Sequence, residues 1–321
     1  MAGEKPGETI IKIGISACLL GQKVRHDGGH KHDRFITDIL GRFVRFVPVC
    51  PEVEVGMSTA REAVRLEGDV SAPRMVGVKS RDDWTGRMNT YCAKRMKRLE
   101  KANLSGYILK KDSPSCGMWR VRLYSKGVAS KIGRGLYADS LIESFPLLQV
   151  EEEGRLNDPR LRENFIVRVF AYYRLNNLFT GRFSRRAVVE FHTASKYLLL
   201  AHSPKHYKQL GQLVAAIDKY KPSDFWDKYS TLYVQALSVK TTVRKNFNVM
   251  HHILGFLRKH LTDGDKKCIL DLIEDYRREL VPLIVPVTLI RHHIYKYNID
   301  YIMDQLYLSP DPKELMLRNH V

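Results

Sequence analysis

The sequence contains few cysteines, and they follow none of the common spacing patterns. Five cysteines stand far apart in 321 residues, and no two of them form a Cys-x-x-Cys pair. This scarcity argues against a disulfide-stapled secreted fold, a zinc ribbon or a thioredoxin-type redox pair. An apolar run long enough for a transmembrane helix is also missing, and the N-terminal segment lacks an apolar signal core. We therefore predict a cytoplasmic protein without a membrane partner.

Acidic residues are scarce relative to basic ones. There are 35 Asp and Glu against 53 Lys and Arg, which gives a net charge of +18. Nucleic acid is the first partner to consider, because phosphate contacts release counterions and dominate such affinities. An anionic membrane and a merely soluble basic surface are the alternatives. Short basic groups with interleaved aromatic residues could grip phosphates or stack on bases; they lie at residues 94–98, 184–186, 203–208, 243–246 and 257–260.

In the first half of the sequence, segments with the apolar spacing of strands alternate with segments that have the apolar spacing of helices. A basic amphipathic helix is predicted over 82–103 and another helix at ADSLIESFP. Strand, helix and strand in alternation predict an α/β domain with a mostly parallel sheet. The predicted strands cover residues 10–16, 41–49, 75–80 and 105–110.

A charged segment with Gly and Pro, residues 150–164, indicates a domain boundary. We place an α/β domain at 1–155 and an all-α domain of six or seven helices at 156–321. Ser203 followed by Pro204 predicts a helix start, and Thr262 or Asp263 could cap another.

Three of the cysteines follow predicted strands. Cys18 closes the first strand, Cys50 closes the second, and Cys116 follows the last through a short Pro-containing loop. Because the carboxyl ends of parallel strands lie along one edge of a sheet, we expect these three thiols to meet there. Cys92 and Cys268, beside apolar helical positions, are predicted to pack in the core.

Three thiols without a fourth leave several interpretations open. A [4Fe–4S] cluster normally takes four cysteines, so three would leave one iron free to act as a Lewis acid toward sulfur. A tetrahedral zinc ion with three cysteines and one histidine is the competing metal site. A single catalytic thiol, or three buried thiols without chemistry, would also fit. The histidines that could complete a zinc site are His26, His30 and His32.

Several motifs resemble known families. Residues 16–30 (SACLLGQKVRHDGGH), 48–62 (PVCPEVEVGMSTARE) and 109–117 (LKKDSPSCG) together resemble the thiouracil desulfidase (TudS-like) family. The second half, including 191–211 and 306–321, is similar to the YbgA-type helical domain. The fusion of the two resembles the bacterial tRNA 4-thiouridine desulfidases.

The resemblance implies an oxygen-sensitive [4Fe–4S] cluster held by Cys18, Cys50 and Cys116. Its open iron would take the sulfur of a thiocarbonyl, and water would replace that sulfur without net redox change. The products would be uridine and hydrosulfide. The resemblance of the second half implies tRNA as the carrier of the thiolated base.

Other residues of the matching motifs are candidates for the chemistry. We predict that Glu52 acts as general acid or base and that Ser113 is catalytic. Asp27, Ser115 and Arg61 are predicted to bind substrate, although Asp27 could instead form a simple turn and the serines could stabilise their loop. Arg61 is retained from a Pro-rich stretch of the family, whose prolines are replaced here by Ala60, Glu62 and Ala63.

The sequence thus predicts a desulfidase that acts on 4-thiouridine in tRNA. A desulfidase of free thiouracil is the first alternative, and tight, salt-dependent tRNA binding would separate the two. A nucleic-acid-binding regulator with a redox-sensing cluster is the second, and it would bind nucleic acid without releasing sulfide.

Overall fold

A computed structural model describes residues 11–180 and 182–320. The described chain divides into two compact units between Asp158 and Pro159. Ile10, the first residue of the first predicted strand, lies outside the described residues. Among the described helices, none combines the length and apolarity needed to cross a membrane.

The first unit alternates strands with short helices. Its elements are β1 (Lys12–Ser16), β2 (Arg45–Val49), α1 (Pro51–Glu54), β3 (Val64–Asp69), β4 (Ala72–Gly77), α2 (Thr85–Glu100), β5 (Gly106–Leu109), β6 (Val121–Ser125), β7 (Val128–Gly133), α3 (Leu136–Ser144) and β8 (Gln149–Glu152).

Four of these strands form an entirely parallel sheet in the order β2-β1-β5-β8. Its two central strands, β1 and β5, are short, largely apolar and almost wholly buried, as strands covered on both faces must be. Ile13, Ile15 and Ile108 are fully buried in its centre. The predicted α/β fold with a parallel sheet is confirmed, and the sheet brings the carboxyl ends of β1, β2 and β5 to one edge.

A second sheet, in the order β4-β3-β6-β7, was not predicted. The strand predicted at 75–80 belongs here as β4, paired antiparallel with β3, and is not part of the parallel sheet. The inner face of this sheet buries Leu66, Met75 and Leu123 in the core. Helix α2 adds Met88, Cys92, Met96 and Leu99 to that core, as its apolar spacing predicted.

The charged segment expected to hold the domain boundary begins with a buried strand, and the two units meet later within it, after Asp158. β8 pairs with β5, and Glu151, Glu152 and Glu153 are each less than a tenth exposed. Buried carboxylates require hydrogen-bond partners. Glu152 and Glu153 find them on the loop that follows β5, as described below, while Glu151 pairs with Arg155.

The second unit is built from helices: α4 (Pro159–Phe179), α5 (Arg185–His202), α6 (Pro204–Ala215), α7 (Pro222–Ser238), α8 (Val243–Leu257), α9 (Asp263–Arg277), α10 (Ile284–Lys296) and α11 (Asp300–Met303). The predicted helix starts are confirmed, since Ser203 accepts a hydrogen bond from the His206 N–H and Thr262 accepts one from the Asp265 N–H. Cys92 is buried as predicted, but the prediction for Cys268 is wrong because this thiol is exposed on α9.

Candidate metal centre and active site

Three free cysteines surround one cavity at the edge of the parallel sheet. Cys18 lies in the turn after β1, Cys50 directly follows β2, and Cys116 lies in the loop after β5. All three line a cavity of about 450 Å³, which is within the usual size range of ligand sites. The convergence expected from the strand order is therefore present.

The loop that carries Cys116 is held by its own serine. Ser113 Oγ accepts hydrogen bonds from the N–H groups of Ser115 at 3.3 Å and Cys116 at 3.1 Å. Gly117 then closes the turn by donating to the Ser113 carbonyl at 2.8 Å. A Cβ at Gly117 would lie 2.7 Å from that same carbonyl, so the turn requires glycine here.

Two buried glutamates hold this loop from behind. Glu152 accepts the N–H groups of Met118 at 2.6 Å and Trp119 at 3.1 Å, while burial raises the pKa of its carboxyl. Glu153 accepts the Lys111 N–H at 2.7 Å and the Lys110 ammonium at 2.5 Å. These glutamates were missed in the sequence, where the only signal was an acidic run directly after an apolar segment.

Burial controls the ionisation of the three thiols. Desolvation raises the pKa of Cys18 to about 11, against a smaller lowering by the nearby Lys110 ammonium. Desolvation also raises the pKa of Cys50 and of Cys116, and at Cys116 the neighbouring Cys18 and Cys50 raise the pKa further. The thiols are therefore protonated at neutral pH in the absence of metal, and metal binding would have to displace their protons.

Glu52 faces the same cavity within a small polar network. Its carboxylate forms an ion pair with Arg61 and accepts a hydrogen bond from Ser115 Oγ at 2.6 Å. Ser113 Oγ is farther away, at 3.4 Å. Arg61 also donates to the Val24 carbonyl at 3.2 Å. The structure thus brings together the two residues predicted as catalytic and two of the three predicted to bind substrate.

Asp27 is the predicted site residue that lies outside the cavity lining. It accepts the Gly29 N–H at 3.0 Å in an Asx turn and pairs with the Arg25 guanidinium at 3.1 Å. The hydrogen bond from Arg25 is the main reason that the pKa of Asp27 is lowered to about 2. The exposed Asp27 carboxylate thus shapes the turn, and through Arg25 it helps position a cation on the cavity wall.

Cations dominate the remaining polar wall of the cavity. Arg25, Lys31, Lys110 and Lys111 line it, against the carboxylates of Glu52 and Asp112. Of the histidines considered as zinc ligands, His26 lines the cavity, while His30 accepts the His32 N–H and the ring of His32 bonds to Thr37.

The arrangement of the cysteines distinguishes a single zinc ion from an iron–sulfur cluster. Within residues 11–180 and 182–320, no three His, Cys, Asp or Glu side chains converge on one metal-ion position. The three cysteines are arranged around a cavity instead, and a [4Fe–4S] cluster takes each thiolate on a different iron. Arg61 Nε is buried and has no hydrogen-bond partner within the described chain. The residues fit a multi-iron group.

Comparison with known proteins places the first unit. The family model of 2-thiouracil desulfurase matches residues 13–153. A solved structure of the [4Fe–4S]-dependent thiouracil desulfidase TudS is 32% identical and covers 46% of this chain and 94% of its own, with a TM-score of 0.38. Residues 13–153 therefore form a 2-thiouracil desulfurase domain.

Two further relatives of this chain are uncharacterized proteins. YbbK of Bacillus subtilis (strain 168) is 32% identical over 108 residues, which are 32% of this chain and 71% of YbbK. YbgA of Escherichia coli (strain K12) is 30% identical over 165 residues, which are 51% of this chain and 98% of YbgA. A family model of unknown function, DUF1722, matches residues 196–312. The chain therefore joins a desulfurase-family unit to a YbgA-type unit, as the motifs indicated.

Proposed function

We propose that this protein is a cytoplasmic, iron–sulfur-dependent desulfidase that converts 4-thiouridine in tRNA to uridine. The observation that carries the proposal is the single cavity lined by Cys18, Cys50 and Cys116, with Glu52 inside it. In the overall reaction a C=S group and water give a C=O group and hydrogen sulfide, so no external oxidant or reductant is required. The 2-thiouracil desulfurase domain supports this reaction class.

The three cysteines would hold a [4Fe–4S] cluster. When bound by three thiolates, such a cluster has one iron without a protein ligand, and that iron supplies a Lewis acid for the thiocarbonyl sulfur. The cationic wall formed by Arg25, Lys31 and Lys110 would favour the negative charge that accumulates on the departing sulfur.

Glu52 would take the proton from the attacking water. Its second oxygen is fixed by Arg61, and its first accepts the Ser115 hydroxyl at 2.6 Å, so the carboxylate has a single orientation. A base held in one orientation avoids reorganisation during proton transfer. Ser113 acts mainly on the loop, because its oxygen is occupied by two backbone N–H groups.

The large positive charge supports a polyanionic substrate rather than a free base. A net charge of +18 suits RNA, whose phosphates dominate affinity for basic proteins. The family name favours free thiouracil as the second candidate substrate.

The test uses anaerobically purified protein with a reconstituted cluster. We would incubate it separately with 4-thiouridine-containing tRNA and with free thiouracils, and follow the thiobase absorbance together with released sulfide. Loss of absorbance with stoichiometric sulfide from tRNA supports the proposal. Turnover of free thiouracils alone would favour the second candidate. Salt-dependent tRNA binding without sulfide release, with the cluster intact, would favour a regulator.

A further inference from the structure

The outer face of the second sheet carries cations that the proposed chemistry does not use. Arg122 of β6 and Lys131 of β7 lie directly opposite each other, and both are exposed. The register that pairs Leu66 with Leu123 also sets Arg65 of β3 beside Arg122. Like charges placed directly opposite in a sheet destabilise it. Folding alone therefore does not account for this arrangement.

These cations have little compensation from neighbouring carboxylates. Within the described part of the chain, Arg122, Lys126 and Lys131 form no ion pair. The nearby Glu67 is already shared by Arg65 at 2.6 Å and Arg81 at 2.7 Å. The outer face consequently presents a local excess of positive charge.

In the helical unit, by contrast, several cations of the basic groups already have partners within the protein. Arg185 pairs with Asp218, and Arg186 pairs with Glu190 at 2.7 Å. The Lys245 ammonium donates to a backbone carbonyl at 2.6 Å. Several cations that the sequence suggested for phosphate binding are thus already engaged.

Aromatic side chains accompany the cations of this face. The Arg65 guanidinium lies over the Tyr124 ring at 4.6 Å from its centroid. Trp119, on the segment between Cys116 and β6, is 50% exposed. Exposed aromatic rings beside cations are the elements that bind bases and phosphates of single-stranded nucleic acid.

The face is connected to the cavity by two chain segments. β3 begins at Val64, which lines the cavity, and the next residue, Arg65, belongs to the outer face. β6 begins shortly after Cys116 and carries Arg122. Because successive residues of a strand point to opposite faces, RNA on this face would reach the cavity by passing around the start of β3.

We propose that the basic sheet face, formed by Arg65, Arg122, Tyr124, Lys126 and Lys131, binds the sugar–phosphate backbone of the RNA that carries the thiolated base. Trp119 stacks on a nucleotide next to that base. This inference rests on the proposed function, because it assigns part of the substrate contact to the desulfurase-family unit.

The test compares two charge reversals in the full chain. Lys131→Glu removes a cation from the face and replaces a repulsive cross-strand pair with an attractive one. The control is Lys101→Glu, an exposed lysine at the end of α2 that belongs to none of the basic groups suggested by the sequence. Binding of an unmodified tRNA transcript is measured over a range of salt concentrations, with thermal unfolding of each variant.

We expect Lys131→Glu to weaken tRNA binding roughly tenfold at low salt and to lower the slope of log affinity against log salt by about one. Its thermal stability should be unchanged or higher, since the cross-strand repulsion is relieved. Lys101→Glu should alter binding less than threefold.

Equal losses in both variants, or no loss in Lys131→Glu, would overturn the assignment of the face. Because the transcript is unthiolated, this result does not depend on whether sulfide is released. Failure of the proposed function appears separately, as tRNA binding by the unaltered, cluster-loaded protein without desulfidation.

Discussion

Two neighbouring serines of the cavity loop should have separable roles. Ser115 Oγ donates to the Glu52 carboxylate at 2.6 Å, and Ser115 is only 1% exposed. Ser113 Oγ instead accepts two backbone N–H groups, including that of Cys116 at 3.1 Å. Replacing each by alanine removes one hydroxyl of the same size, so the pair forms a matched comparison.

The expected magnitude follows from the type of hydrogen bond. A hydrogen bond to a charged group contributes about 1.5–3 kcal/mol. If this interaction orients Glu52 in the transition state, Ser115→Ala should lower kcat by roughly 10- to 100-fold at unchanged iron content. Ser113→Ala leaves the N–H groups of the loop unpaired and should lower the iron content first, with near-normal turnover per bound cluster.

The assay measures iron and acid-labile sulfide per chain together with anaerobic single-turnover rates on the thiolated substrate. Dividing each rate by the cluster content separates an effect on the orientation of Glu52 from an effect on iron retention. The reasoning is refuted if Ser115→Ala keeps its normalised rate within twofold, or if the two variants lose iron and rate in the same proportion.

Three further predictions concern the metal ligands, the loop support and the helical unit. Cys18→Ala should abolish both cluster retention and turnover, whereas Cys92→Ala should keep the iron content; full activity of Cys18→Ala would contradict the ligand set. Glu152→Ala removes the acceptor for two N–H groups of the cavity loop and should lower iron content, with Glu152→Gln giving partial recovery in the same iron assay. Burial lowers the pKa of His202 from 6.5 to about 4, so its stabilising effect is complete above pH 6.5 and is lost as the pH falls toward 4. This loss should reach about 3 kcal/mol. The free energy of unfolding in urea should differ less between pH 7 and pH 4.5 in His202→Gln than in the unaltered protein. An equal difference in both proteins would exclude His202 as its source.

The centre of the parallel sheet and its cysteines could be predicted because they depend on local patterns. An apolar segment followed by Gly or Pro marks a strand end, and parallel strands place their ends together. Cys18, Cys50 and Cys116 therefore converge as expected. The helix starts at Ser203 and Thr262 could be predicted equally well, since a cap depends on neighbouring residues only.

The second sheet could not be predicted in the same way. Its strands are short and expose charged residues such as Arg122 and Lys131, so their apolar alternation is weak. The burial of Glu152 and Glu153 was also hidden, because the N–H groups that bind them come from a loop more than thirty residues earlier. Cys268 was misplaced because its apolar neighbours Ile269 and Leu270 lie on the side of α9 that packs inward.

The position of β8 has a consequence for biosynthesis. Every residue that lines the cavity precedes residue 117, yet the glutamates that fix the Cys116 loop arrive with β8 and the residue after it. A nascent chain that ends before β8 has the three cysteines but lacks the acceptors that hold the third one in place. Once residue 153 has left the ribosome, all of these groups are present, while the YbgA-type unit is still being translated. Loading of the proposed cluster on the growing polypeptide, before the domain that follows has been made, is therefore compatible with this order of synthesis.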